Sequence, residues 1–275
     1  MSISRARLYL DWRFWMTKRT PLIAGNWKMN LDHLQGIALI QKVCWTLNDA
    51  DHDYKDVEVA VFPPFTHLRS AQTLIDAEKF EVKLGAQDIS EHEAGAYTGE
   101  ISGEMLKKLD VDYVLIGHSE RRQYHDEGNE KVNSKVAAAF SSGIVPVICV
   151  GETLDELETR GQSAVPVEQT IAALSGHESI GEFVIAYEPV WAIGTGKVAT
   201  PQEAEDVSKA IREALRDNFG EQAANSRILY GGSVKANNVA GFLQSGEVDG
   251  VLVGGASLVA DEFSGIARYK KHIVL

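Results

Sequence analysis

The chain has 275 residues, 44% hydrophobic and 24% charged, with only 7 prolines; this excludes disordered, collagen-like and low-complexity classes and suits one α/β barrel of about 250 residues. Lys plus Arg number 27 against 39 Asp plus Glu, a formal charge of −12, so the chain repels polyphosphate, which argues against nucleic acid but leaves room for a small anion held by local donors. Two cysteines, Cys44 and Cys149, are too few for a disulfide framework or a four-ligand zinc site and read as buried thiols in a reducing, cytoplasmic compartment.

Residues 1–15 read as a loose extension upstream of a single domain at 16–275. They carry Arg5, Arg7 and Arg13 among Leu8, Leu10, Trp12, Phe14 and Trp15. Asp11 and Arg13 interrupt the apolar stretch a secretory signal needs, and a transit peptide would be richer in serine and free of acid. Met16 is the alternative start. No later apolar run approaches the ~18 residues that span a bilayer, so no membrane partner is expected.

From Thr20 onward, short β-branched runs recur: Leu22–Gly25, Val57–Val61, Val82–Ala86, Val111–Gly117, Ile144–Val150, Phe183–Tyr187, Ile228–Tyr230 and Val248–Val253. Each is apolar with little alternation, as parallel strands buried on both faces are. Helical patterns lie between them. Leu34, Ile37, Ala38 and Gln41 begin one; Ala204, Val207, Ile211, Ala214 and Leu215 follow helical spacing in another, which opens on Thr200-Pro201-Gln202-Glu203 as cap, first-turn proline and acidic first turn. Strand starts lie at least 20 residues apart, room for a crossover helix each. Eight strands and their helices predict one (β/α)₈ barrel, with a doubly wound sheet as the alternative because periodicity does not show closure.

In such a barrel the chemistry sits where strands end. After the first strand, Asn26 and Lys28 stand two apart and reach one pocket if the chain is extended, or form a surface turn if it is not. After the fourth comes Gly117-His118-Ser119-Glu120-Arg121-Arg122. A helix N-terminus here disfavours the imidazolium, so His118 reads either as a neutral hydrogen-bond donor or as a backbone-satisfied core histidine. Glu120 with its two arginines also suits a solvated ion cluster. After the sixth, Glu188 is a carboxylate at an apolar strand end, where burial is expected to raise its pKa toward a useful base. The loop behind it, with a Pro189-Val190-Trp191 start and a glycine-rich tip, has the composition of a water-excluding lid. Gly194–Ala199 matches the loose G-x-G-x-x-G/A string, but a long loop separates the glycines from the strand, and Gly196-Lys197 lacks the Ser or Thr and the upstream Gly of a P-loop. After the seventh and eighth strands, Gly231-Gly232-Ser233 and Gly254-Gly255 each suit a turn, but as a pair in consecutive final loops they suit phosphate.

Four stretches together resemble the triosephosphate isomerase family: Ala24–Asn30 (AGNWKMN), Gly117–Arg122 (GHSERR), Ala186–Gly196 (AYEPVWAIGTG) and Tyr230–Ser233 (YGGS). The resemblance runs from about Pro21 to the C-terminus, in family order and spacing. It implies a (β/α)₈ fold and the interconversion of dihydroxyacetone phosphate and glyceraldehyde 3-phosphate through an enediolate, a step of glycolysis and gluconeogenesis. It further implies Glu188 as carbon base, neutral His118 as electrophile, Lys28 and Asn26 beside the developing oxyanion, and Glu120 holding Lys28. Gly194, Ser233, Gly254 and Gly255 would grip the phosphate through N–H groups, and Pro189 to about Ala199 would close over it. No cofactor or metal is implied. The loop Gly95–Glu100 resembles the family's docking loop, so a homodimer is implied through Thr98. Asp88 stands where many members have Asn, which puts its interface hydrogen bonds in doubt.

Rival classes want other residues. A Schiff-base aldolase needs Lys where Glu188 stands, and a metal enzyme needs clustered ligands where the eight histidines are scattered. A non-catalytic phosphate binder has no use for Glu188, His118 and Lys28 together.

Overall fold

Eight short strands pair side by side in parallel and close on themselves. The computed structural model describes residues 19–192, 198–244 and 246–272; the expectation for residues 1–15 lies outside these. In chain order the barrel strands are β1 (Leu22–Asn26), β2 (Glu58–Phe62), β3 (Lys83–Ala86), β4 (Tyr113–Ile116), β5 (Val145–Val150), β6 (Val184–Tyr187), β7 (Arg227–Tyr230) and β8 (Gly250–Val253). Each pairs in parallel with its neighbours, and β1 pairs with β8, giving a closed barrel. The doubly wound alternative is thereby excluded.

Alternate residues of each strand point to opposite faces. Leu22, Ala24, Phe62, Leu115, Val147, Ala186, Leu229 and Leu252 fill the barrel interior. Ile23, Val59, Val114, Ile148, Ile185 and Val251 face outward into a continuous apolar layer beneath the helices. Both faces are therefore apolar, which is why the sequence lacks the alternation of a half-exposed sheet.

The helices include α1 (His33–Asn48), α2 (Leu68–Glu78), α3 (Gly103–Lys107), α4 (Ser119–Tyr124), α5 (Asn129–Ser142), α6 (Leu154–Arg160), α7 (Ala164–Leu174) and α8 (Pro201–Phe219). Thr200 caps α8 reciprocally with Glu203, with Pro201 in the first turn, as its sequence predicted. No helix among the described residues is long and apolar enough to cross a membrane. Cys44 and Cys149 are buried and free.

The two barrel ends differ in kind. At the strand N-termini a crevice of about 1230 Å³ is lined by Arg19, Glu58, Lys83, Asp112, Tyr113, Glu182 and Arg227. These charges neutralise one another: Arg227 pairs with Glu58 and Glu182, Lys83 with Asp112, and Arg19 with Asp249. Such pairing offsets the charges of the barrel floor. The opposite end gathers unlike groups around a smaller cavity.

Candidate active site

At the C-terminal ends of the strands lies a cavity of about 300 Å³ lined by Asn26, Lys28, His118, Glu188, Ser233, Gly254 and Gly255, with Gly231, Gly232 and Lys235. Nine of the residues singled out in the sequence thus meet in one place. Glu120 stands behind Lys28. Gly194 lies outside the described residues, as does the rest of 193–197, the tip of the expected lid.

The turn after β1 is built by local hydrogen bonding. Asn26 Oδ1 accepts the Lys28 N–H at 3.0 Å, an Asx-type turn. Lys28 adopts φ of 54°, a conformation uncommon for a residue with a Cβ. Gln87 holds it there, its Nε2 donating to the carbonyls of both Lys28 and Phe62 at 2.8 Å. The ammonium of Lys28 then meets Glu120 Oε1 at 2.5 Å, the partner that the family resemblance implied.

Gly117, with φ of 71°, ends β4 and turns His118 into the N-cap of α4. Its Nδ1 accepts the Glu120 N–H at 3.2 Å. An imidazole nitrogen that accepts carries no proton, so the proton of neutral His118 sits on Nε2. That nitrogen lies 3.0 Å from Glu188 Oε1. The other oxygen, Oε2, accepts the Ser119 N–H at 3.0 Å. Both side chains are buried.

Here one expectation is overturned. Burial does push the Glu188 carboxyl up, but the charge and hydrogen bond of His118, the Ser119 N–H and Lys28 together hold it below the usual range. In His118 burial pushes the imidazole down, and the facing Glu188 carboxylate outweighs it and pulls the ring up. The sequence reading counted burial and not the partner.

Two glycines wall Glu188. A Cβ on Gly151 would lie 1.8 Å from the Glu188 carbonyl oxygen, and one on Gly231 would lie 2.8 Å from Glu188 Cγ. Gly151→Ala is therefore expected to displace the carboxylate: a shift on the order of 1 Å costs about 100-fold in turnover, and overpacking costs about 1–3 kcal/mol of stability. Steady-state kinetics with urea unfolding measure both. Just beyond, Tyr187 OH and Trp191 Nε1 donate to Glu152 Oε1 at 2.9 and 2.7 Å, anchoring the segment that leaves β6. Cys149 is buried nearby, and burial raises its thiol well above the ordinary value.

The reading of Glu120, Arg121 and Arg122 as a solvated cluster is also corrected. Arg121 pairs with Asp88 and Glu127, and Lys135 pairs with the same two carboxylates. Asp88 is thus part of a four-membered ion network that ties the chain after β3 to α4 and α5. Arg122 donates to the carbonyls of Gly117 and Cys149 and to Asn129 Oδ1. Both arginines brace the turn that carries His118. Sequence reasoning missed these roles, along with Gln87, Gly151 and Glu152, because their partners lie in other elements. Among the described residues no His, Cys, Asp and Glu group could hold a metal ion.

A closed (β/α)₈ barrel with a carboxylate, a neutral imidazole and an ammonium converging beside glycine-rich final loops belongs to the class of barrel enzymes that handle small phosphorylated substrates. Residues 21–270 match the family model described as triosephosphate isomerase. The chain is 58% identical over 258 residues to triosephosphate isomerase of Leifsonia xyli subsp. xyli, covering 94% of this chain and 100% of that protein. It is 55% identical over 262 residues to that of Streptomyces coelicolor, covering 93% and 99%. The crystal structure of triosephosphate isomerase from Bartonella henselae superposes with a TM-score of 0.80 at 35% identity, covering 92% of this chain and 99% of that one. The chain belongs to the triosephosphate isomerase family.

Proposed function

We propose that the chain interconverts dihydroxyacetone phosphate and D-glyceraldehyde 3-phosphate, the aldose–ketose isomerisation that connects the two triose phosphates of glycolysis. Family membership supports the reaction, and the observation that carries the residue roles is the 3.0 Å contact between His118 Nε2 and Glu188 Oε1. It supports the reading by bringing a carboxylate and a hydrogen-bond donor together in the cavity that Ser233, Gly254 and Gly255 also line.

In this reading Glu188 takes a proton from the carbon beside the carbonyl. The electron pair moves onto the carbonyl oxygen, giving the enediolate. His118 Nε2–H stabilises that oxygen and passes its proton between the two oxygens, and Glu188 returns a proton to the neighbouring carbon. Lys28 supplies positive charge where the oxyanion develops, in a partly water-excluded site where such donors act most strongly. Asn26 is a second donor. Gly194, Ser233, Gly254 and Gly255 bind the phosphate, and the segment after Glu188 covers it. A coupled assay of both directions, with and without chelator, tests the reading: turnover should be chelator-insensitive. Failure to interconvert the two trioses, or turnover that needs added metal, would overturn it.

A homodimer in the cytoplasm completes the reading. Tyr97, Thr98 and Gly99 stand exposed on the docking loop, and Met29, 95% exposed, stands beside Lys28. An apolar side chain so placed suits burial against a second copy. Sedimentation should give a dimer for the wild type, and Thr98→Arg should shift it toward monomer with loss of activity.

A further inference from the structure

The proposed substrate is a phosphate dianion, and it must enter a chain of formal charge −12. Four ionisable side chains line the cavity: Lys28, His118, Glu188 and Lys235. Their charges do not favour an anion equally. The ammonium of Lys28 is already matched by Glu120 at 2.5 Å, the neutral tautomer of His118 contributes none, and Glu188 is negative. Lys28, Glu120 and Glu188 therefore sum to one net negative charge, and the serine and glycines of the phosphate rim are neutral.

Lys235 reverses that balance. It is exposed, two residues beyond Ser233, and lines the same cavity. Among the described residues its ammonium has no carboxylate partner. Its backbone is held in place. The Lys235 N–H donates to Asn238 Oδ1 at 2.8 Å, Asn238 Nδ2 reaches back to the Ser233 carbonyl at 3.4 Å, and the Ala236 N–H donates to Glu262 Oε1 at 2.7 Å. The segment is fixed beside the phosphate rim while the charge on its long stem stays free to move.

We propose that Lys235 is a specificity-determining residue that captures the phosphate dianion, acting on entry and binding and not on proton transfer. This rests on the functional reading above. One exposed charge acting on a dianion several ångströms away through water is worth roughly three- to tenfold in capture. Such an effect is strong where the Debye length is about 30 Å, at 0.01 M salt, and nearly gone where it is about 3 Å, at 1 M.

The test compares kcat and KM of wild type, Lys235→Gln, Lys235→Glu and a control, Lys55→Gln, at low and high salt. Lys55 is exposed at the opposite end of the barrel, so its replacement changes net charge but not the cavity. At low salt Lys235→Gln should lower kcat/KM about three- to tenfold through KM, Lys235→Glu should lower it further, and the differences should close at high salt. Unphosphorylated glyceraldehyde should be turned over equally by all four. Calorimetric binding of inorganic phosphate should weaken in the same order and needs no turnover. An unchanged phosphate affinity in Lys235→Gln, an equal loss in Lys55→Gln, or a loss that persists at high salt would overturn the proposal. An inactive wild type that still binds phosphate through Lys235 would count against the isomerase reading and leave this one standing.

Discussion

Glu188→Asp is expected to lower kcat about 100-fold and to change KM far less. The charge is kept and one methylene removed, so the carboxylate recedes on the order of 1 Å from the carbon it serves. A 100-fold loss corresponds to roughly 2.7 kcal/mol of barrier. The backbone of Glu188 is held by its N–H to Val150 at 2.7 Å and by the close approach of Gly151, so the chain has little room to follow the shortened side chain. Ser233 and the final glycine loops are untouched, which is why affinity should survive. Unchanged turnover would place the base elsewhere and remove the functional reading of the segment that follows β6.

Lys28→Met should weaken both binding and turnover, with a loss in kcat of about 2.7–4 kcal/mol of barrier, the usual cost of removing one donor aimed at a developing oxyanion. The loss should appear in function and not in folding. Glu120 is 43% exposed at its side chain, so water can take over from the missing ammonium, whereas a substrate oxyanion inside the cavity has no such replacement. Affinity for a phosphate-bearing inhibitor, measured beside the unfolding midpoint, separates the two. Near-normal inhibitor affinity would end the electrostatic role assigned to Lys28.

The barrel was legible because its strands are short, apolar on both faces and followed by turn or helix signals. The predicted strand boundaries agree with the structure to within about two residues, and the differences have causes. The fourth strand stops at Ile116 because Gly117, at φ of 71°, has left extended geometry. The eighth begins only at Gly250, where the backbone passes so near Leu22 that a Cβ would lie 2.0 Å from its carbonyl oxygen. Asn26, Lys28, His118, Glu188, Ser233, Gly254 and Gly255 were legible because strand ends point them into one cavity.

What holds those side chains in place was not legible. Gln87 fixes Lys28 from the end of β3, Arg122 fixes the His118 turn by reaching β5, and Asp88 reaches α4 and α5. Each contact joins residues far apart in sequence, and local pattern carries no information about such pairs. The direction of the Glu188 pKa failed for the same reason. Burial could be inferred from the strand, but that His118 Nε2 and the Ser119 N–H would both meet the carboxylate at hydrogen-bond distance could not.

The central claim is that Glu188 moves a proton, and not a hydride, between adjacent carbons. Running the wild-type reaction in deuterium oxide and following the reacting carbons by NMR tests it most directly. The account predicts solvent deuterium on the carbon that receives the proton, with exchange and isomerisation slowed in parallel in Glu188→Asp. Full conversion with no solvent deuterium in product or recovered substrate, together with unchanged turnover in Glu188→Asp, would point to an internal hydride shift and contradict the role of Glu188.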